Sequence, residues 1–323
     1  MTPPDLSVVV VTHNGRDMAL ATLRSARTNA GPIRVEWLVA DSGSTDGTPE
    51  AIARALPDVE VMRCRNLGFA HANNVALRRA RGRYVLLLNP DVEIDRGTLA
   101  DVVAALDRRP AVGAAGVVQR GSDGALLPSI RRFPSPLRDL GEALFCPRWP
   151  AWRHIQELDV DFARYDRERS VDWLSGSFLI ARRDAVECAG LLDERFFLYS
   201  EEIDWCYRIR AAGWDIRHLP VAEVTHHCGG TSPERVAELG HSRMLFARKH
   251  FAPGRARGIQ AALALRHLLR LAILAPRAAT APAARVRLRE EAWGLATVLG
   301  VRQPPLSRRA RAAAGAARPT EAT

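Results

Sequence analysis

Tyr84-Val85-Leu86-Leu87-Leu88-Asn89-Pro90-Asp91 is an unbroken apolar run that stops on a turn. Apolar residues without polar alternation, over a length too short for a buried helix, suit a strand inside a parallel sheet. Asn-Pro-Asp then closes the strand with good turn chemistry. The same turn puts the Asp91 carboxylate at the tip of a buried strand, where it could hold a divalent cation. Hard Mg2+ or Mn2+ prefers oxygen ligands and bridges phosphates. A plain turn after a central strand is the competing reading.

Outward from that run, β-rich stretches alternate with helical ones, the pattern of an α/β protein with a parallel sheet. Leu6–Thr12, Glu36–Ala40, Val59–Arg63 and Val112–Val118 are the further expected strands; Met18–Thr28, Pro49–Leu56, Phe69–Arg79 and Leu99–Asp107 are the helices between them. Ligands of such sheets gather beyond the carboxyl ends of the strands. Those ends carry His13-Asn14-Gly15, Asp41-Ser42-Gly43-Ser44-Thr45-Asp46-Gly47, Asn66-Leu67-Gly68 and Asn89-Pro90-Asp91, and together they point at one polar crevice. Asp41 could accept hydrogen bonds from a nucleobase or a ribose, or it could merely close its own loop as an Asx turn. No Gly-x-Gly-x-x-Gly follows the first strand, which argues against a dinucleotide-dependent dehydrogenase.

Residues 119–170 lose the rhythm and carry Pro128, Pro134, Pro136, Pro147 and Pro150, which suggests an irregular excursion over the site. Order returns at Val171–Ser177 and a strand at Phe178–Ala181. Then comes Asp193-Glu194-Arg195-Phe196-Phe197-Leu198-Tyr199-Ser200-Glu201-Glu202-Ile203-Asp204-Trp205-Cys206-Tyr207-Arg208. Glu201, Glu202 and Asp204 repel one another and resist desolvation, so their crowding points to a need for a proton acceptor or a positive partner. A capped helix start is the plainer account, with Ser200 as N-cap and acids in the first turn. A short strand is expected near Asp215–His218, and then His226-His227-Cys228 before Gly229-Gly230. One imidazole could complete a metal site with Asp91. A His-His-Cys zinc site is the alternative, but no second Cys/His pair lies at finger spacing. Trp173 and Trp205 could stack on a sugar or fill the core.

The chain has 323 residues, enough for one large domain with an appendage, and its charge is uneven. Its net charge of +10 lies wholly in residues 252–323, which hold 13 Arg and 3 Glu, so residues 1–251 are formally neutral. Apart from Lys249 the basic residues outside histidine are all Arg, which resembles a coding bias rather than nucleic-acid chemistry, and no nucleic-acid partner is expected. Five scattered Cys without a Cys-x-x-Cys fit a reducing compartment. No signal peptide is expected at the N-terminus, nor a spanning helix, since Ile259–Ala275 is interrupted by Arg266, His267 and Arg270. That stretch has the composition of an interfacial helix on anionic lipid, or of an ordinary packed amphipathic helix. Residues 252–302 are therefore expected as a helical extension and 303–323 as an unstructured tail.

From about Leu6 to about His250 the chain resembles the family 2 glycosyltransferases of GT-A fold, and within them the rhamnosyltransferase-type branch. The marks are Val10-Val11-Thr12-His13-Asn14, the Asp41–Gly47 segment, Asn66-Leu67-Gly68-Phe69-Ala70 with Asn73-Asn74, Asn89-Pro90-Asp91, Gly176, the acidic block, and His226 before Gly229. Each is weak alone; their order and spacing are specific.

The resemblance implies transfer of a sugar from a nucleoside diphosphate to an acceptor hydroxyl, with inversion at the anomeric carbon. It implies that Thr12, Asn14, Asp41 and the Ser42-Gly43 turn contact the nucleotide sugar. Asp91 would bind Mg2+ or Mn2+ and the diphosphate, with His226 as a further ligand. Glu202 would be the general base, with Glu201 and Asp204 as competitors. The family's Glu-Asp pair reads Glu201-Glu202 here, and Asn89 stands where an Asp-x-Asp motif has its first acid. The favoured donor is dTDP-L-rhamnose, a UDP-sugar being compatible. The acceptor would be a glycan or polyprenyl-linked saccharide of the cell envelope, met by a cytoplasmic protein on the inner membrane face. The residues 1–118 would form the nucleotide half and 119–251 the acceptor half. A non-catalytic nucleotide-sugar-binding or scaffold protein of the same fold is the alternative. A nucleotidyltransferase is a third reading, but it should carry a Gly/Arg/Lys-rich loop where His13-Asn14-Gly15 stands.

Overall fold

Tyr84–Leu88 forms a fully buried strand, and the central sheet is built around it. The computed structural model describes residues 3–144, 156–227 and 232–307. Its internal contacts divide it into two units. One comprises Met1–Arg132, Leu158–Asp193 and Glu202–Gly229; the other comprises Phe133–Glu157, Glu194–Glu201 and Gly230–Thr323.

In the first unit β1 (Leu6–Thr12), β2 (Val35–Asp41), β3 (Glu60–Arg63) and β4 (Tyr84–Leu88) lie in parallel, in the order β3-β2-β1-β4. The sheet continues through β10 (Phe178–Arg182), β6 (Val112–Arg120), β11 (Asp215–His226) and β5 (Val92–Arg96), with β8 (Arg169–Ser170) beside β11. β10 is antiparallel to both β4 and β6, and β5 is antiparallel to β11. The expected parallel sheet is thus mostly parallel but mixed. β7 (Ile130–Arg131) and β9 (Trp173–Leu174) pair separately.

Strand alternation explains why both sheet faces are apolar. Val8, Val10, Leu86 and Leu88 share one core with α1 (Arg16–Thr28), α2 (Thr48–Ala55) and α4 (Leu99–Asp107). The intervening Val9, Val11 and Leu87 point the other way and are buried as well, with α3 (Phe69–Leu77) packed on β1 and β2 from the sheet's flank. Leu99–Asp107 begins with a full capping box between Thr98 and Asp101. α6 (Arg183–Ala189) follows β10, and α7 (Glu201–Ala211) carries the acidic block.

β11 is far longer than the short strand expected at 215–218. It leaves its ladder around Pro220 and rejoins β6 at Glu223, and that break hides the continuation. β5 was not expected at all, because the turn at Asn89–Asp91 reads as the end of an element.

The second unit is helical among its described residues: α5 (Pro136–Leu144), α8 (Pro233–His250), α9 (Pro253–Ala278) and α10 (Pro282–Val298). Met244, Ala247, Ile259, Leu263 and Val298 form its buried centre. α9 and α10 fall within residues 252–302, in the same unit as α5 and α8. Of the tail from Gln303, residues 308–323 lie outside the described residues.

Candidate active site

β1 and β2 run in register to their last residues, so Thr12 stands opposite Asp41 at the carboxyl edge. Thr12 Oγ1 donates to Asp41 Oδ1 at 3.0 Å, and the Ser44 amide donates to Asp41 Oδ2 at 3.0 Å. The second bond closes the Ser42-Gly43 turn, so the turn role is present. Each carboxylate oxygen keeps another lone pair for a ligand. Asn14 sits in the left-handed region at φ 51, which Asn tolerates better than most residues. Its amide donates to Ser44 Oγ at 2.9 Å, and its side-chain oxygen accepts from the Thr45 amide at 2.8 Å. Thr12, Asn14, Asp41 and the Ser42-Gly43 turn therefore form one hydrogen-bonded rim. Ser44 and Thr45 belong to that rim too, although nothing in their spacing singles them out.

The pairing of β5 with the end of β11 places His226 opposite Val92. His226 Nε2 consequently lies 3.4 Å from Asp91 Oδ1, and the His227 amide donates to the Asp91 carbonyl at 2.9 Å. Burial pushes the Asp91 carboxyl up, but the His226 ring, the Asp91 backbone amide and His227 together outweigh it and hold the group below the usual carboxylate range. His227 is a strut: Nδ1 is 2.9 Å from Ser122 Oγ and Nε2 is 3.0 Å from Glu93 Oε1. Ser122 and Glu93 escaped the sequence reading, whose one hint was the doubled histidine. Cys228, the third member of the zinc alternative, lies outside the described residues.

Among the described residues no group of three or more His, Cys, Asp or Glu side chains converges on a metal position. Asp91 and His226 fit an ion in another way. Asp91 Oδ1 is buried and, the His226 approach aside, has no hydrogen-bond partner among the described residues. A hard cation is commonly held by one or two protein ligands with substrate phosphates and water completing the shell.

The loop before β10 links this edge to the acidic block. The Asn89 amide donates to the Ser177 carbonyl at 2.9 Å, directly after β4. One residue earlier, a Cβ added to Gly176 would lie 3.4 Å from Glu202 Cβ. Glu202 thus stands against the loop that closes the end of β4. Asn74 braces the approach to the block by exchanging two hydrogen bonds with the Leu192 backbone, at 2.8 and 3.0 Å.

The acids of the block separate by environment. Glu202 is partly exposed, whereas Glu201 is buried at the start of α7. Asp204 is fully buried and accepts from Arg208 Nε at 2.8 Å. The Arg208 guanidinium also donates to the carbonyls of Gly190 and Leu191, at 3.2 and 2.8 Å. Asp204 therefore anchors the turn after α6, which is poor placement for a proton acceptor.

Ser200 does not adopt the extended N-cap conformation. It follows Tyr199 (φ 67) into the left-handed region at φ 64, and its buried Oγ has no hydrogen-bond partner among the described residues. Two consecutive non-glycine residues there make a strained entry to α7. The stacking role suggested for the tryptophans is also displaced. Trp205 is buried and donates to the Gly190 carbonyl at 2.8 Å; Trp173 is buried, donates to Arg132 and carries Arg131 over its ring.

Residues 7–165 match the family described as Glycosyl transferase family 2. An N-acetylglucosaminyl-diphospho-decaprenol L-rhamnosyltransferase of Mycobacterium tuberculosis is 36% identical over 245 residues, covering 69% of this chain and 76% of that one. The rhamnosyltransferase WbbL of Escherichia coli K12 is 27% identical over 169 residues, 50% of this chain and 61% of that one. Among solved structures, a mannosyltransferase from Pyrobaculum calidifontis in complex with GDP-Man and Mn2+ has a TM-score of 0.55 at 19% identity, covering 93% of this chain and 87% of that one. Residues 1–349 of S. aureus TarS in complex with UDP give a TM-score of 0.51 at 18% identity, covering 92% and 91%. At such identities the two structures bear on the fold alone.

Proposed function

The chain belongs to glycosyl transferase family 2, and we propose that this glycosyltransferase moves L-rhamnose from dTDP-L-rhamnose to a hydroxyl of a polyprenyl-diphosphate-linked saccharide, with inversion. The observation that carries the reading is the run of contacts from Asn89 through Ser177 and Gly176 to Glu202, beside the Asp91–His226 pair. The mycobacterial relative, named for L-rhamnosyl transfer to a decaprenyl-diphosphate-linked N-acetylglucosamine, supports the sugar and the acceptor class.

Asp41 holds the base or ribose through the lone pairs that Thr12 and Ser44 leave over, and the Asn14–Thr45 contacts keep that rim rigid. A divalent cation, Mg2+ or Mn2+, would be held by Asp91 and His226 and would offset charge on the departing diphosphate. Glu202 takes the acceptor hydroxyl proton while the oxygen attacks the anomeric carbon from the side opposite the diphosphate. One carbon–oxygen bond forms as the sugar–phosphate bond breaks, so the configuration inverts. A positioned base of this kind contributes typically about 10²- to 10⁴-fold. Gly176 lies against Glu202, a base one methylene longer than aspartate. Because a polyprenyl-linked acceptor is confined to a bilayer, the enzyme meets it as a peripheral protein on the cytoplasmic face.

The test is a panel of dTDP-, UDP- and GDP-sugars offered with a lipid-linked N-acetylglucosamine acceptor and Mg2+ or Mn2+. Release of dTDP from dTDP-L-rhamnose, abolished by chelator, is expected. Binding of a nucleotide sugar without release from any donor would instead make the chain a binding module.

A further inference from the structure

α5 is amphipathic in reverse. Asp139 is 2% exposed, whereas Leu137 and Leu144 are 60% and 47% exposed. A helix facing water has the opposite arrangement. Glu142 of α5 is approached by Arg266 of α9 at 3.7 Å, Arg243 of α8 pairs with Glu157, and Asp139 Oδ2 is buried with no hydrogen-bond partner among the described residues. Glu157 in turn donates its amide to Glu142 Oε1 at 3.1 Å. With Asp139 turned inside, the leucines are what α5 presents outward.

α9 extends that surface. The two helices frame an apolar groove of about 400 Å³, with Leu137 and Leu140 on one wall and Gly258, Ala261 and Leu265 on the other. Beyond it Leu268, Ala272 and Ala275 are exposed at helical spacing from Ala261, so the stripe runs on along the helix. No acid occurs between Ala252 and Arg289, while the exposed Arg257 falls on the stripe's own side of the helix and the exposed Arg255 toward its flank.

We propose that this α5–α9 face docks on the surface of an anionic lipid bilayer, the groove and stripe meeting hydrocarbon and the arginines meeting headgroups. Charge selects this occupant over a second copy of the chain, because two such faces would bring arginines against arginines. Each basic residue held near an anionic membrane strengthens binding about fivefold. α9 is long and apolar enough to cross a membrane, with 22% of its most apolar stretch buried. Its inner face is nevertheless committed: Ile259, Leu263 and His267 are buried, and Glu291 of α10 holds His267 at 2.6 Å and Arg270 at 3.0 Å. A helix fixed along one side lies on the bilayer. The inference deepens the transferase reading by naming the surface on which its acceptor is met, and it is read without turnover, so either can fail alone.

The experiment is cosedimentation of the full chain with vesicles of phosphatidylcholine, with and without phosphatidylglycerol. Binding to the anionic vesicles at least about tenfold above the neutral ones, weakened by salt and released by carbonate wash, is expected. Leu137→Glu with Leu268→Glu alters two exposed side chains and should reduce binding about tenfold or more with an unchanged circular dichroism spectrum. Four results would each overturn the proposal. They are equal binding to both vesicle types, undiminished binding by the double variant, resistance to carbonate, and a wild-type dimer that the double variant dissociates.

Discussion

Glu202 and Asp204 share the first turn of α7 yet stand in different environments, the first partly exposed and the second fully buried. Asp204 is sealed inside with Arg208, and Arg208 fastens the backbone after α6. Removing one partner of a buried pair leaves the other charge uncompensated. Asp204→Ala should therefore lower unfolding stability by about 3–5 kcal/mol in urea titration. An Asp204→Ala protein of native stability but no turnover would return Asp204 to candidacy as the base. The sequence put both acids on one short segment and had no means to tell them apart, since burial decides the difference. Asp41 shows the converse. Its two readings were a turn and a nucleotide contact, and the turn bond to Ser44 is present without exhausting the carboxylate. The left-handed entry at Tyr199 and Ser200 carries no sequence signal, because neither residue type favours it.

At the scale of elements, legibility follows how locally each one is determined. β4 and α4 match the expected ranges because an apolar run and a capping box speak for themselves. β5, the antiparallel insertion of β10 and the continuation of β11 past Pro220 depend on partners far along the chain. α5 was hidden in a proline-rich stretch, and its inverted burial gives it a pH signature. Burial pushes the Asp139 carboxyl from 3.8 up to about 7, reinforced by Glu157 and Glu142 and opposed by Arg243 and Arg266. Between those values the folded chain keeps a proton that the unfolded chain has lost, so this contribution to stability falls as pH rises through the window. Asp139→Asn should raise the thermal midpoint at pH 8 relative to wild type and change it little near pH 4. An equal shift at both would show that the group does not titrate with folding.

On the scale of the whole molecule, charge and chemistry are segregated along the chain. Residues 1–251 are formally neutral and contain every side chain proposed for catalysis or for holding the nucleotide sugar, while the basic excess sits in 252–323. The strand ends legible in the sequence do gather at one edge, because β1, β2 and β4 are parallel and in register. His226 reaches that edge only because β11 runs parallel to β6, which two antiparallel pairings through β10 align with β4. That arrangement cannot be read from local spacing, and it brings His226 to the sheet edge that carries Thr12 and Asp91. Glu202 is proposed as the base of the transfer. The most direct test of that role compares Glu202→Gln with wild type for turnover of dTDP-L-rhamnose and for donor affinity. Turnover about 10²- to 10⁴-fold lower with donor affinity unchanged is expected; wild-type turnover by Glu202→Gln would contradict the account.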